Sequence, residues 1–425
     1  MNTPYAFHPE RIVTWTLDNG LRVIAEPLPF IATVSVGVFV HTGSMMESSS
    51  EEGLAHFMEH MAFKGTESRS NLQIALETDL LGGRLNAYTS KDHTCYHNKV
   101  ISEDLSKTLD LIGDLILHPA LYEEEMIKER SVICEEIAMD EDDPESLVAE
   151  YMVRAQYAGT PMEHPILGSR EQVSAYLPAD LMRFRETHYT PDRCVIAVCG
   201  AYDEQELRDT IQRVFGAWSG TSALDPLPSL TALDGQKVLL DRDTEQTHLC
   251  LGYPGFAYGK KENLTLDLLS AILGSSASAR LFQRIREELG MAYTVYSYNA
   301  PVEGSGQFCL YAASSPENAL NVLKEMDREM KRLARDGITQ EELEQSRKMM
   351  RIGYLMGLES PGNRMMPMGH SLMLRNTRYS PETALARMEK ITCEEIVDLA
   401  QSLCTHTPSL TAIGRDVQRL EVAYE

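Results

Sequence analysis

Positive charge is scarce in this chain of 425 residues: 39 Lys and Arg stand against 63 Asp and Glu, a formal net charge of −24 at pH 7. That balance argues against the basic surface that nucleic acid or anionic lipid requires, and it suits basic peptides as partners. Paired cysteines are lacking too. None of Cys95, Cys134, Cys194, Cys199, Cys250, Cys309, Cys393 and Cys404 stands in a C-x-x-C pair, and most lie in apolar segments such as "CVIAVCG" and "THLCLGY". They read as reduced core residues of a cytoplasmic protein rather than a disulfide frame. No apolar run reaches the length of about 18 residues that spans a bilayer. The opening "MNTPYAFHPERIVTW" has no basic segment followed by an apolar one, so no secretory signal is expected. What remains, 43% hydrophobic and 24% charged residues, is the balance of a globular chain. Its length exceeds one ordinary core and implies two or more domains.

The first segments read as β. "RIVTWTLDNGLRVIAEPLP" holds two short strands around Asp18-Asn19-Gly20, a hairpin signal, and "TVSVGVFVHTGS" alternates like a strand with one buried face. A helix is expected from about Glu51 to Phe63, stopping near Gly65, and a second over "SNLQIALETDLLGG" with Ser70 or Asn71 as its cap. "RLNAYTSKDHTCYHNKV" reads as extended, and "SEDLSKTLDLIGDLILH" as an amphipathic helix ended by Pro119. The charged "EEEMIKERSVICEEIAMDEDD" follows as a long helix.

Residues 219–236, "SGTSALDPLPSLTALDGQ", carry no period and are rich in Pro, Gly, Ser and Asp, the composition of a linker. After them the order of strand then helix restarts. The expected domains are therefore 1–218 and 237–425, two related halves without a long identical repeat. The expected class is α+β, each half a mainly antiparallel sheet packed with helices.

Chemistry concentrates in "EEGLAHFMEHMAFKGT", residues 51–66. His56 and His60 are four apart, so on a helix they share one face and can hold one metal ion. Zinc takes neutral imidazole nitrogens and asks for a third protein ligand, keeping a position for water. Glu59 borders the same face and could take a proton from a water that the metal acidifies. The order H-x-x-E-H inverts the better-known H-E-x-x-H. Taken alone, two histidines on an apolar helix also describe plain packing, so a third donor must decide. The helix holding "KERSVICEEIAMDED" offers Glu135 and Glu136. Glu136 shares a face with Glu129 and flanks Val132 and Ile133, whereas Glu135 aligns with Lys128, Ser131 and Asp142. Glu136 is therefore the expected ligand. Glu129, two turns away on the same side, could accept a hydrogen bond from a ligand imidazole.

These residues carry a resemblance. "GLAHFMEHMAFKGT", "GGRLNAYTSKDHTCYH", "ERSVICEEIAMDEDDP", "HPILGS", "HYTPDRCVIAVCG" and "RLFQRIREELGMAYTVYSY" make the chain similar to the pitrilysin/insulinase zinc metallopeptidases, the inverzincins. The short bacterial members and the mitochondrial processing peptidase subunits resemble it most. In that family the distal glutamate falls about 75 residues past the motif, and here Glu136 follows His60 by 76 positions.

The resemblance implies a peptide substrate added as a strand to a sheet edge, with Asn86 and Ala87 of "LNAYT" as candidate substrate-binding residues. It implies that Arg286 and Tyr293, seven apart, hold the substrate and the developing oxyanion. Because the fused relatives place that pair in the half opposite the zinc, it implies a homodimer around a chamber, with a heterodimer with a related subunit as the other arrangement. One zinc ion per chain is expected, and no nucleic acid or membrane partner. "GSSASAR" stands where processing peptidase partners carry a glycine-rich loop, which speaks against a specialised presequence reader.

The activity implied is zinc-dependent endopeptidase action on short or unfolded peptides. The alternatives are a non-catalytic partner subunit, which the complete set His56, Glu59, His60 and Glu136 argues against, and a maturation protease with one dedicated precursor peptide. His93 and His97, also four apart, fall in an extended segment where that spacing does not bring them together. "NRMMPMGHSLML" reads as helix packing.

Overall fold

The Asn19-Gly20 turn shows how local chemistry starts the fold. Gly20 takes φ +93°, a left-handed value that suits glycine, and Asn19 Oδ1 accepts the Leu21 amide at 3.1 Å. Around it β1 (Val13–Thr16) and β2 (Arg22–Pro27) pair antiparallel. The computed structural model describes residues 11–82, 85–224 and 227–424. Among these, residues 219–236 form neither helix nor strand, as a linker would.

Two sheets organise the chain. The first adds β3 (Thr33–Val40), β4 (Asn86–Thr89), β5 (Thr94–Ile101) and β6 (Cys194–Gly200), in the order β1-β2-β6-β3-β5-β4. The second consists of β7 (Lys237–Asp241), β8 (Thr247–Pro254), β9 (Ala292–Val302), β10 (Ser305–Ser314) and β11 (Ser409–Gly414), in the order β7-β11-β8-β10-β9. With β1 set aside, the two sheets trace one path. In each, the first strand runs parallel to the fifth, the fifth antiparallel to the second, the second to the fourth, and the third forms an edge. Two related α+β halves, mainly antiparallel and packed with helices, are thus present, each with a single parallel pair.

Contacts group the chain into one unit of Met1–Ile137, His164–Leu227 and Leu355–Pro381, and a second of Ala138–Glu163, Pro228–Tyr354 and Glu382–Glu425. The grouping is not a single cut at 219–236, because two stretches belong with the sheet of the other half. Residues 138–163 join the second unit: the helix Pro144–Gln156 buries Leu147, Val148 and Met152 with Cys250, Cys309 and Ile413. Residues 355–381 join the first: the methionine-rich helix Pro361–Arg375 buries Met365, Met368, Leu372 and Met373 with Phe39, Cys95, Val195 and Cys199.

That second packing corrects the reading of β3. Every residue from Val34 to Val40 is buried, on both faces and not one. Val34, Val36 and Val38 face a core with the helices Leu54–Ala62 and Leu105–Leu117, while Phe39 faces the methionine-rich helix. A Cβ built on Gly369 would lie 2.2 Å from the Phe39 ring. Gly369→Ala is therefore expected to cost about 1–3 kcal/mol through overpacking, read as a lower urea midpoint.

Two histidines of this unit, His188 buried and His370 half-buried, give a pH dependence. Burial, with Arg193 close by, lowers His188 to about 4, and burial, with His93 close by, lowers His370 to about 4. Their folded values lie below the unfolded value of about 6.5, so the unfolded chain binds more protons in that window. Their contribution to stability is expected to be full above about pH 6.5 and to fall as pH drops toward 4, measured as the change in the pH dependence of the urea midpoint when each is replaced by Gln. Among the described residues no helix is long and apolar enough to cross a membrane.

Candidate metal centre

The helix Leu54–Ala62 begins at Gly53, which takes φ +87° and offers no side chain to its free amides. Glu47 supplies the cap from six residues upstream. The Gly53 amide donates to its Oε2 at 2.8 Å and the Ala55 amide to its Oε1 at 2.7 Å. Burial raises the Glu47 carboxyl well above its ordinary range, against these two amide bonds, which lower it. The helix is fixed at its start, and it presents His56, which is buried, and His60, which is half-buried, one turn apart.

The two imidazole Nε2 atoms stand 3.2 Å apart. Glu136 Oε2, from the acidic helix Glu123–Glu141, lies 3.7 Å from the His56 Nε2 and 3.5 Å from the His60 Nε2. Three donors bound to one tetrahedral ion at about 2.0–2.1 Å would sit about 3.3–3.4 Å from one another. The arrangement therefore fits a zinc ion. Glu136 Oε2 is also a buried oxygen without a hydrogen-bond partner, which an ion would satisfy. Among the described residues this is the one group of three His, Cys, Asp or Glu donors close enough to hold a metal.

Protonation suits the same purpose. Burial, with His60 beside it, lowers His56 to about 3, so its ring is neutral at pH 7, the form that binds metal. His60 Nδ1 donates to Glu129 Oε1 at 2.8 Å, which leaves Nε2 bare and turned toward Glu136. Glu129 is 4% exposed and also holds the Lys64 Nζ at 2.5 Å. Burial raises its carboxyl, but the bonds from His60 and Lys64 outweigh that and hold it below the usual range. Glu59 is 9% exposed. Burial raises its pKa against a hydrogen bond from Thr89, whose Oγ1 donates to Glu59 Oε2 at 2.6 Å.

The acidic helix buries Met126, Glu129, Ile133 and Ile137, and leaves Glu135 exposed. Val132 is not on the apolar side as the sequence was read; it is 50% exposed. Asn86 and Ala87 lie on β4, the edge strand, paired on one side with His97 and Tyr96 of β5. Asn86 is exposed and Ala87 buried.

Arg286 and Tyr293 come together in the second unit. The Arg286 guanidinium carbon sits 4.2 Å from the centre of the Tyr293 ring and 4.6 Å from that of Phe282. Arg286 lies in a π-helical stretch, Phe282–Glu288, and Tyr293 at the start of β9 is 72% exposed. Such stretches recur at functional sites. His93 does not join His97 in a metal group; its Nε2 meets Tyr88 Oη at 3.0 Å and His370 Nε2 at 2.7 Å.

Three contributors escaped the sequence reading. Thr89 stood inside the quoted "LNAYT" but drew no role, and Lys64 stood inside "AFKGT". Glu47 carries no local signal, since its task is set by the unusual backbone at Gly53.

Two family models match the chain. The family model described as insulinase (peptidase family M16) matches residues 22–170, and the model described as peptidase M16 inactive domain matches residues 177–350. The uncharacterized zinc protease YmxG of Bacillus subtilis is 34% identical over 403 residues, covering 95% of this chain and 98% of that protein. The uncharacterized zinc protease Rv2782c of Mycobacterium tuberculosis is 36% identical over 410 residues, covering 94% and 92%. A crystal structure of a protease from Helicobacter pylori superposes with a TM-score of 0.89 at 22% identity, covering 95% of this chain and 99% of that one. A peptidase M16 inactive domain from Pseudomonas fluorescens superposes at 0.90 with 18% identity, covering 96% and 98%. These two likenesses speak to the fold.

Proposed function

The chain belongs to the insulinase (M16) family of peptidases, and from that premise we propose that it is a zinc-dependent endopeptidase of short or unfolded peptides. The observation that carries the reading is the spacing of His56, His60 and Glu136, which matches one tetrahedral ion. One zinc per chain, held by these three, would supply a Lewis acid for the scissile carbonyl and acidify a water. Glu59, beside the set but outside it, would accept the proton of the hydrolytic water and return it to the leaving amine. Glu129 holds the His60 tautomer. The free edge of β4, with Asn86 and Ala87, takes the peptide as an added strand. The half-buried Arg286 and the exposed Tyr293 clamp the substrate and the developing negative charge.

We assign the working form to a homodimer around a chamber, in which Arg286 and Tyr293 of one copy serve the zinc set of the other. The cytoplasm suits the eight cysteines, all present as thiols.

The test is elemental analysis together with cleavage of quenched fluorescent peptides. About one zinc per chain is expected, with cleavage lost on chelation and restored by added zinc. Metal content near zero, or zinc without cleavage of any peptide, would leave the non-catalytic partner reading in its place. Glu129→Gln is expected to weaken zinc binding roughly 10–100-fold in a chelator competition, because the His60 ring loses its charged acceptor. Mixing Glu59→Gln with Arg286→Ala tests the exchange between copies. If sites are shared, mixed dimers regain activity that neither variant has alone; if each chain uses its own Arg286, mixing restores nothing.

A further inference from the structure

Glu59 has one hydrogen-bond partner among the described residues, and it comes from the substrate edge. Thr89 is the last residue of β4, and its Oγ1 donates to Glu59 Oε2 at 2.6 Å, a short bond of the kind a hydroxyl makes to a carboxylate. The hydroxyl has one proton to give. A second acceptor stands near, Thr94 Oγ1 at 3.3 Å on the paired position of β5. Thr94 in turn donates to the Thr42 carbonyl at 2.9 Å, so its own proton is committed elsewhere. The shorter bond and the charged acceptor both direct the Thr89 proton to Glu59.

We propose that Thr89 is the positioning residue of the catalytic carboxylate: its hydroxyl fixes Glu59 Oε2 and leaves the other oxygen to meet the proton of the attacking water. The inference rests on the reading of Glu59 as the base. A glutamate has three side-chain torsions, and a carboxylate loose in any of them spends little time in reach of a reacting proton. Anchoring it from β4 has a second consequence. The strand that holds the base is the strand that receives the peptide, so adding a substrate strand to the edge steadies the base at the moment it is needed. A chain that anchored Glu59 from a distant loop would lack that link.

Thr89→Val removes the hydroxyl and keeps the branched shape that a strand favours. It is expected to lower kcat roughly 10–100-fold with KM little changed. Zinc content stays as in the wild type, because no donor to the ion is touched. Thr89→Ser, which retains the hydroxyl, recovers most of the rate. The second readout does not depend on activity: crystal structures of the metal-free wild type and Thr89→Val should show the Glu59 carboxylate in place in the first and displaced in the second. An unmoved Glu59, an unchanged kcat, or loss of zinc from Thr89→Val would each overturn the proposal. If the wild type cleaves no peptide, the functional reading fails, while the paired crystal structures still decide whether Thr89 holds Glu59.

Discussion

Glu59→Gln is expected to leave zinc bound and to reduce peptide hydrolysis by roughly 10²–10⁴-fold, the usual contribution of a positioned acid–base group. The two side chains have nearly the same shape, and the Thr89 hydroxyl can donate to an amide oxygen as it does to Glu59 Oε2 at 2.6 Å. The His56, His60 and Glu136 donors are untouched, so the variant separates holding the ion from using it. What the amide cannot do is accept a proton at working pH. Stability should be equal or slightly higher, since burial already works against the charged form of Glu59. The measurements are zinc per chain by elemental analysis, kcat on fluorescent peptides, and a urea midpoint. Full activity in the variant would mean that another group takes the proton. Joint loss of zinc and activity would mean that Glu59 supports the metal set rather than the chemistry.

Much of this site was legible in the sequence because its information is local. His56 and His60 sit four apart on a segment that could only be a helix, and the structure forms that helix from Leu54 to Ala62. Helical phase favoured Glu136 over Glu135 although Val132, one of the residues it leaned on, is 50% exposed; Glu135 is the exposed one of the two carboxylates. The Ser70 cap was equally local: its side chain and that of Gln73 form a reciprocal capping box.

What the sequence hid depends on contacts between distant residues. β3 alternates Val with Ser and Gly, which reads as one buried face, yet the methionine-rich helix covers the other from more than 300 positions away. β11, "SLTAIG", is six residues with no turn signal of its own, and it exists because β7 and β8 flank it. The assignment of 138–163 and 355–381 to the sheets of the opposite halves has the same origin. No local pattern states which sheet an amphipathic helix will cover.

The largest expected loss of stability follows from that exchange. Arg364, on the methionine-rich helix, donates from Nη1 to Glu26 Oε1 of β2 at 2.7 Å, with the two side chains 10% and 3% exposed. A charge pair so deeply buried gains little over a well-packed apolar pair, but removing one member takes from the other its opposite charge. Arg364→Met is therefore expected to cost about 3–5 kcal/mol, most of it the penalty of a buried Glu26 carboxylate without this cation. The Cys199 thiol also donates to Glu26 Oε2, at 3.5 Å, a weak bond beside the one from Arg364. Adding Glu26→Gln to Arg364→Met should recover most of the loss, since the buried negative charge is then gone. Urea midpoints of the three proteins measure this, and proteolysis within residues 355–381 locates the loosened segment. The helix packs on the sheet face opposite the His56–His60 helix, so zinc content at low denaturant should persist in all three. A cost no greater than about 0.5 kcal/mol for Arg364→Met, the range of ordinary surface changes, would show that apolar packing of Met365, Met368 and Leu372 holds the segment without the ion pair.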